Sequence, residues 1–411
     1  MPVSLDDVSM VVTDTPKMLA EVPAGIPGVA LSDLPAMASV PAIDVQTANP
    51  IGWKAVPEAP LLPQATLFPE SPAPRALRRA HHVADWTGAA SDPSVRAGVL
   101  AAAAATGGVI SVSEGGSELR SCLGPQLYAL VTDRDRIASA NDHERESISI
   151  SMRRAALRDH SARARLSQFL SASGQDLLRL PLVSVLVPTR RPERLHQVVA
   201  TVAAQTYPRV ELVLGLHGEG FDAASVNKHL CLNLPAQAVP VPKDQPLGNV
   251  LNRALDVAQG SLIAKFDDDD LYGAEHLWDL VLAAEYSNAS LVGKVSEYVY
   301  LAGADCTIRR FVGFGERYID PGRSSVAGAT ALVRRAALEA VGGWRSQGVG
   351  EDKALVGDIA ADGGDIYRTH GAGFLAMRHG QGHTWEVEDA YFLQQAQDHR
   401  SGCDRHFAGI S

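Results

Sequence analysis

The sequence is poor in the features that mark several large protein classes. Among 411 residues there are only four cysteines, Cys122, Cys231, Cys306 and Cys403, far apart and without a CxxC pair. That usage argues against a disulfide framework or a thiolate zinc site and fits a reducing, cytoplasmic compartment. No apolar run approaches the roughly 20 residues that cross a bilayer. The most apolar stretch, Ala97 to Val112, is short, rich in Ala and Gly, and bounded by Arg96 and Glu114. Met1 is followed by Pro2 and acidic residues rather than by a basic and then apolar leader, so no secretory signal is expected. Positive charge is also in deficit, with 37 Lys and Arg against 47 Asp and Glu, a formal net charge of -10. A general nucleic-acid binder needs a basic face to replace phosphate counterions, so that class is excluded. A nucleotide ligand is not, because a divalent metal can carry the positive charge.

What is present divides the chain into three. Residues 1–75 hold roughly half of the 24 prolines. Proline fixes φ and removes a donor, so this arm is either extended and packed or partly disordered. Residues 76–172 read as a smaller α/β domain. A helix is expected from Ser94 to Ala105, a strand from Gly108 to Val112, a short helix from Gly115 to Leu123, a strand from Leu127 to Val131 and a helix from Asn141 to Leu170. After a polar connector, residues 180–400 alternate strand and helix: strands near 182–187, 210–216 and 262–266, helices near 194–205, 249–258 and 274–285. That order predicts a mainly parallel, doubly wound sheet, which binds ligands beyond the carboxyl ends of its strands.

The most informative segment is Leu262-Ile263-Ala264-Lys265-Phe266-Asp267-Asp268-Asp269-Asp270-Leu271-Tyr272, an apolar strand running into four carboxylates. One reading is a solvated acidic turn in which Asp270 caps the next helix. The other is a site for Mg²⁺ or Mn²⁺, hard cations that take carboxylate and phosphate oxygens. Placement directly after a buried strand favours the metal.

With Val187-Pro188-Thr189-Arg190 at the end of the first strand and the Asp-x-Asp-Asp pattern after the third, the stretch from about Leu182 to Trp385 resembles family-2 glycosyltransferases of the GT-A fold. The resemblance implies a nucleotide-sugar-binding, Rossmann-like catalytic domain covering about half of the chain. It also implies Mn²⁺ or Mg²⁺ held by Asp269 and Asp267, with Asp267 also facing the ribose. Pro188, Thr189, Arg190 and Asp268 would line the donor site. Asn252 and Arg253 fit the family's helix ahead of the metal motif, or else form an ordinary helical turn. His217 stands where an acid normally reads the nucleobase, so it serves the base or only the fold.

Transfer also needs a carboxylate to take the acceptor proton. Gly350-Glu351-Asp352 matches the family's acidic pair at a helix start, which makes Asp352 the base and Glu351 its support; taken alone, the pair could simply complement a helix dipole. Gly343 and Trp344 match the acceptor loop, with Trp344 either stacked on a sugar or packed in the core. Arg378 would stabilise the leaving diphosphate. His383, or second His379, would join the metal shell.

The donor implied is a nucleotide sugar, UDP-linked first, and the acceptor a glycan, a lipid-linked molecule or a small molecule, with inversion at the anomeric carbon. Nucleic acid is not an expected partner, and a homo-oligomer stays open. A sugar nucleotidylyltransferase is the enzymatic alternative, although Thr189-Arg190-Arg191-Pro192 lacks the glycines that reaction favours in its phosphate loop. A non-catalytic nucleotide-sugar binder is the third reading. Residues 80–170 faintly resemble the closing part of a GT-B glycosyltransferase, which implies an accessory Rossmann-like role.

Overall fold

The computed structural model describes residues 11–13, 28–30, 83–84, 92–112, 115–172, 179–230, 234–312, 315–320, 322, 326–379 and 388–410. Apart from two short strands, the Pro-rich arm lies outside them. The chain divides into two compact units, Met1–Arg179 and Leu180–Ser411.

In the first unit, β1 (Val11–Thr13) pairs in parallel with β2 (Gly28–Ala30), and β3 (Val83–Ala84) with β4 (Ile110–Ser111). Helices dominate the rest: α1 (Pro93–Ala105), α2 (Ser117–Leu123), α3 (Pro125–Thr132), α4 (Arg134–Ser139), α5 (Asp142–His160) and α6 (Ala162–Ala172). Asp92 caps α1 by accepting the Ser94 N–H at 2.8 Å, with Pro93 in the first turn, where its missing N–H costs nothing. Asn141 and Glu144 form a reciprocal capping box at the start of α5.

Two expectations are corrected here. Leu127 to Val131 is not a strand but part of α3. Pro125 starts that helix, and Leu127 and Val131, four residues apart, are both fully buried, which is a helical face. The single helix expected from Asn141 to Leu170 is two, because Ser161 adopts an extended backbone with ψ 158°. The pair β3–β4 is all of the sheet that the described residues of 76–172 carry.

The second unit runs β5 (Val183–Thr189), α7 (Leu195–Ala203), β6 (Val210–His217), α8 (Ala223–Leu230), β7 (Ala236–Val241), α9 (Leu247–Val257), β8 (Leu262–Lys265), β9 (Leu271–Tyr272) and α10 (His276–Ser287). It continues with β10 (Leu291–Lys294), β11 (Tyr298–Leu301), β12 (Cys306–Arg310), β13 (Arg317–Tyr318), β14 (Leu332–Arg334), α11 (Arg335–Ala340), α12 (Glu351–Ala361), β15 (Ile366–Thr369), β16 (Phe374–Arg378), α13 (Asp389–Leu393) and β17 (Ala396–Ser401). An eight-stranded sheet has the order β13-β15-β10-β14-β8-β5-β6-β7. β7, β6, β5 and β8 are parallel neighbours, as expected, whereas β14 and β13 run against their neighbours. The sheet is therefore mixed α/β rather than purely parallel.

Of its four parallel strands, β5, β6 and β8 are nearly continuous apolar runs, buried on both faces, whereas the edge strand β7 is largely half-buried or exposed. Helix α9 buries Val250, Leu251, Ala254 and Leu255, one face at 3.6-residue spacing. It lies so close to β6 that a Cβ at Gly215 would stand 2.7 Å from Val250 Cγ1. Leu186, Val213, Leu251, Ile263, Trp344, Leu355 and Ile359 meet in the core between α9, α12 and the sheet.

A second sheet, β17-β12-β11-β16-β9, was not foreseen. It positions the site, because β8 belongs to the large sheet and β9 to the small one. The four aspartates are the crossover between them, anchored at both ends.

Candidate active site

The carboxyl ends of β5, β6 and β8 open on a cleft of about 620 Å³, facing the start of α12 and the end of β16. Pro188, Thr189, Arg190, Arg191, His217, Lys265, Asp267 to Asp270, Glu351, Asp352 and Arg378 line it. Segments separated by up to 190 positions thus meet at the edge where such sheets present ligands.

Each aspartate is held differently. Thr189 Oγ1 donates to Asp268 Oδ2 at 2.5 Å. Both terminal nitrogens of Arg191 donate to Asp269 Oδ2 at 3.0 Å, and Nη1 also stands 3.1 Å from Asp268 Oδ1. Burial pushes the Asp268 carboxyl up, while Thr189 and Arg191 pull it down. Asp270 accepts the Met377 N–H from β16 at 2.8 Å. Burial, then repulsion from Asp267 and Asp269, raises Asp270 well above the usual carboxylate range. The Asp267 N–H donates to the Tyr272 hydroxyl at 2.8 Å, and that hydroxyl donates to the Ala329 carbonyl at 3.0 Å. Tyr272 stacks on Phe266 with ring centroids 3.9 Å apart.

The Glu351–Asp352 pair sits on the first turn of α12. Gly350, with φ +79°, takes the left-handed conformation that lets the chain enter that helix. Glu351 and Asp352 then complement the helix dipole. Lys265 bridges this pair to the aspartate loop: its Nζ lies 2.5 Å from Asp352 Oδ2, 3.3 Å from Asp267 Oδ1 and 3.5 Å from Glu351 Oε1. Burial alone would push the Lys265 ammonium down, but the three carboxylates hold it above its ordinary value. Enclosure raises Asp267 against the pull of Lys265, and Asp352 and Asp269 add repulsion. Gly328 packs on Asp352 so closely that a Cβ there would lie 1.8 Å from its Oδ2.

At the other end, Arg190 Nε donates to His217 Nδ1 at 2.9 Å. Burial and then the Arg190 charge push the His217 imidazole below its usual range.

The donor set suits a hard cation. Six carboxylates face four cationic side chains (Arg190, Arg191, Lys265 and Arg378) on the cleft wall, leaving a formal excess of two negative charges. A diphosphate entering that wall adds repulsion that a divalent cation on oxygen ligands would relieve. Asp267 and Asp269 are the residues that would hold it. Among the described residues no group of three or more His, Cys, Asp or Glu side chains is arranged as a ready-made metal cage.

The structure brings most of the expected residues together and not all. Trp344 is 2% exposed and packs in the sheet core, so its ring is not open to an acceptor. Asn252 does not face the cleft. Its amide binds the Trp344 backbone on both sides, Nδ2 donating to the carbonyl at 2.8 Å and Oδ1 accepting the N–H at 2.9 Å. Gly343, with φ +80°, lies against the same amide: a Cβ would stand 2.4 Å from Asn252 Oδ1. Arg253 is exposed and off the cleft wall. His379 is described and exposed, while His383 lies outside the described residues. Sequence reasoning missed Lys265, Arg191 and Gly328. A lysine within a buried apolar strand, two residues before the aspartates, was the available signal for the first.

Residues 181–400 match a family model described as Glycosyltransferase like family 2. The chain is similar to the mannosyltransferase PcManGT from Pyrobaculum calidifontis in complex with GDP-Man and Mn2+, with 18% identity, TM-score 0.38 and coverage of 49% of this chain and 58% of that one. It is also similar to S. aureus TarS 1-349 in complex with UDP-GlcNAc, with 16% identity, TM-score 0.41 and coverage of 52% and 64%. The match spans about three fifths of the length of these solved chains. No curated protein matches the chain. Among the described residues no helix is long and apolar enough to cross a membrane.

Proposed function

The chain belongs to glycosyltransferase family 2, and from that premise we propose that it moves a sugar from a nucleoside-diphosphate sugar to an acceptor hydroxyl, with inversion and with Mn²⁺ or Mg²⁺. The observation that carries this reading is the cleft itself, where the aspartate loop after β8 faces the Glu351–Asp352 pair on α12.

In this mechanism Pro188 and Thr189 border the donor, and the Arg190–His217 pair stands at its nucleobase end. A cation on Asp267 and Asp269 would supply charge neutralisation to the diphosphate. Arg378 adds hydrogen-bond donors for the same charge. Asp352 accepts the proton of the acceptor hydroxyl as that oxygen bonds to the anomeric carbon and the bond from carbon to diphosphate oxygen breaks. Entry opposite the leaving group inverts the centre. UDP sugars are the first donors to test, and glycans, lipid-linked molecules and small molecules are the acceptor classes.

A thermal-shift panel of nucleotide sugars with and without Mn²⁺ identifies the donor, because a ligand that binds only the folded state raises its melting temperature. Asp352→Asn is expected to lower kcat on the order of 10²- to 10⁴-fold with donor binding retained. An unchanged turnover in that variant excludes Asp352 as the base.

A further inference from the structure

We propose that Lys265 is a positioning residue that aims the Asp352 carboxylate and ties the acceptor side of the cleft to the donor side. This rests on the transferase reading of the cleft and deepens it. Lys265 ends β8, with its side chain 3% exposed. Its Nζ touches carboxylates from two places far apart in sequence: Asp267 in the aspartate loop, and Glu351 and Asp352 on α12. Arg191, another cation on the cleft wall, reaches Asp268 and Asp269 instead.

Asp352 lies in the first turn of α12 with its side chain 25% exposed, packed against Gly328. A partly exposed carboxylate samples several rotamers unless it is held, whereas one bound at Oδ2 by a buried ammonium presents its other oxygen in one direction. Misplacing a reacting group by about 1 Å costs on the order of 10²-fold in rate. A lysine serves here because its ammonium is a compact point charge with three donors, one for each carboxylate it touches.

The test uses the full chain with two variants. Lys265→Met keeps length without charge, and Lys265→Arg keeps charge in a planar fork that does not match three carboxylates converging on one atom. UDP and GDP binding with Mn²⁺ are measured by calorimetry, and kcat and KM by release of nucleoside diphosphate from the sugar nucleotide that most stabilises the wild type. In each folded variant kcat is expected to fall at least about 20-fold, with donor KM and diphosphate affinity within about threefold. Removing a cation beside Asp267 does not weaken a bound Mn²⁺, so a merely structural role and a positioning role separate at this readout. The proposal is overturned if Lys265→Arg turns over like wild type, since charge alone then suffices. It is equally overturned if diphosphate affinity falls with kcat, or if neither variant folds. Asp352→Asn, measured alongside, distinguishes the failures: if that variant also keeps its turnover, the transferase reading has failed, and if it alone loses turnover, only the role of Lys265 has.

Discussion

Asp352 shows how much chemistry depends on a neighbour with no side chain. Gly328 leaves the space in which the Asp352 carboxylate lies, and a Cβ there would overlap both its Oδ2, at 1.8 Å, and its Cβ, at 2.6 Å. Gly328 has a negative φ, so alanine suits its backbone, and the atoms nearest an added Cβ all belong to the Asp352 side chain, down to its own Cβ. Gly328→Ala is therefore expected to lower kcat by roughly 10²-fold through displacement of the base, and to lower the melting temperature because the start of α12 must shift as well. Steady-state kinetics and a melting curve on the same preparation decide this, and wild-type kcat would place the base elsewhere. Trp344 carries the opposite lesson. An aromatic residue beside two glycines suggests an acceptor platform, yet its burial makes it part of the sheet core and leaves Asn252 to hold its backbone.

At the scale of elements, the decisive feature is the crossover from β8 to β9. Four adjacent carboxylates repel one another, so the loop needs restraint at both ends. Phe266 and Tyr272 supply it by stacking, and the Tyr272 hydroxyl supplies it again by joining the Asp267 N–H to the Ala329 carbonyl. Tyr272→Phe keeps the ring and removes that bridge, leaving two backbone groups without their partner. The expected cost is about 1–3 kcal/mol in urea denaturation, together with weaker Mn²⁺-dependent diphosphate binding. A variant with wild-type stability and wild-type binding would show that the hydroxyl does not hold the loop.

At the scale of the whole molecule, both units bury histidines, His160 in the first and His217 and His276 in the second, so stability falls with acid in each. His160 is fully buried, with Nε2 placed to donate to the Leu123 carbonyl at 3.0 Å and Nδ1 placed to accept from Arg165 at 2.7 Å. Burial first, and then the Arg165 charge against the Leu123 bond, pushes its pKa down to about 4 from the ordinary 6.5. The folded state thus binds fewer protons than the unfolded one between these values. Its stabilising contribution is complete above pH 6.5 and is lost as pH falls towards 4, by at most about 3 kcal/mol. An NMR titration should find this imidazole neutral at pH 5.5, and titration near 6.5 would refute the assignment. In the second unit the cleft keeps more acid than base. Chelation of divalent metal is accordingly expected to abolish nucleoside-diphosphate binding, measured by calorimetry with and without EDTA.

The fold of residues 180–400 was legible wherever local pattern and tertiary demand agree. The runs at Val183–Thr189, Val210–His217 and Leu262–Lys265 are buried on both faces, so hydrophobicity alone marked them as strands. The aspartate loop was visible as charge that folding by itself does not ask for, whereas the Glu351–Asp352 pair, which a helix dipole alone would explain, stood out only through the family resemblance. Leu127 and Val131 were misread because a short, mostly apolar run of five residues does not distinguish strand from helix, and Pro125 decided it.

By itself, then, the order of residues determined the alternating strands and helices of the second unit, the acidic loop at a strand end and the family to which that unit belongs. Only tertiary structure decided that the loop bridges two sheets, that Lys265 joins that loop to the start of α12, that Gly328 makes room for Asp352 and that Trp344 is interior. These are contacts between residues tens of positions apart, set by which faces pack, and neither propensity nor spacing along the chain encodes them.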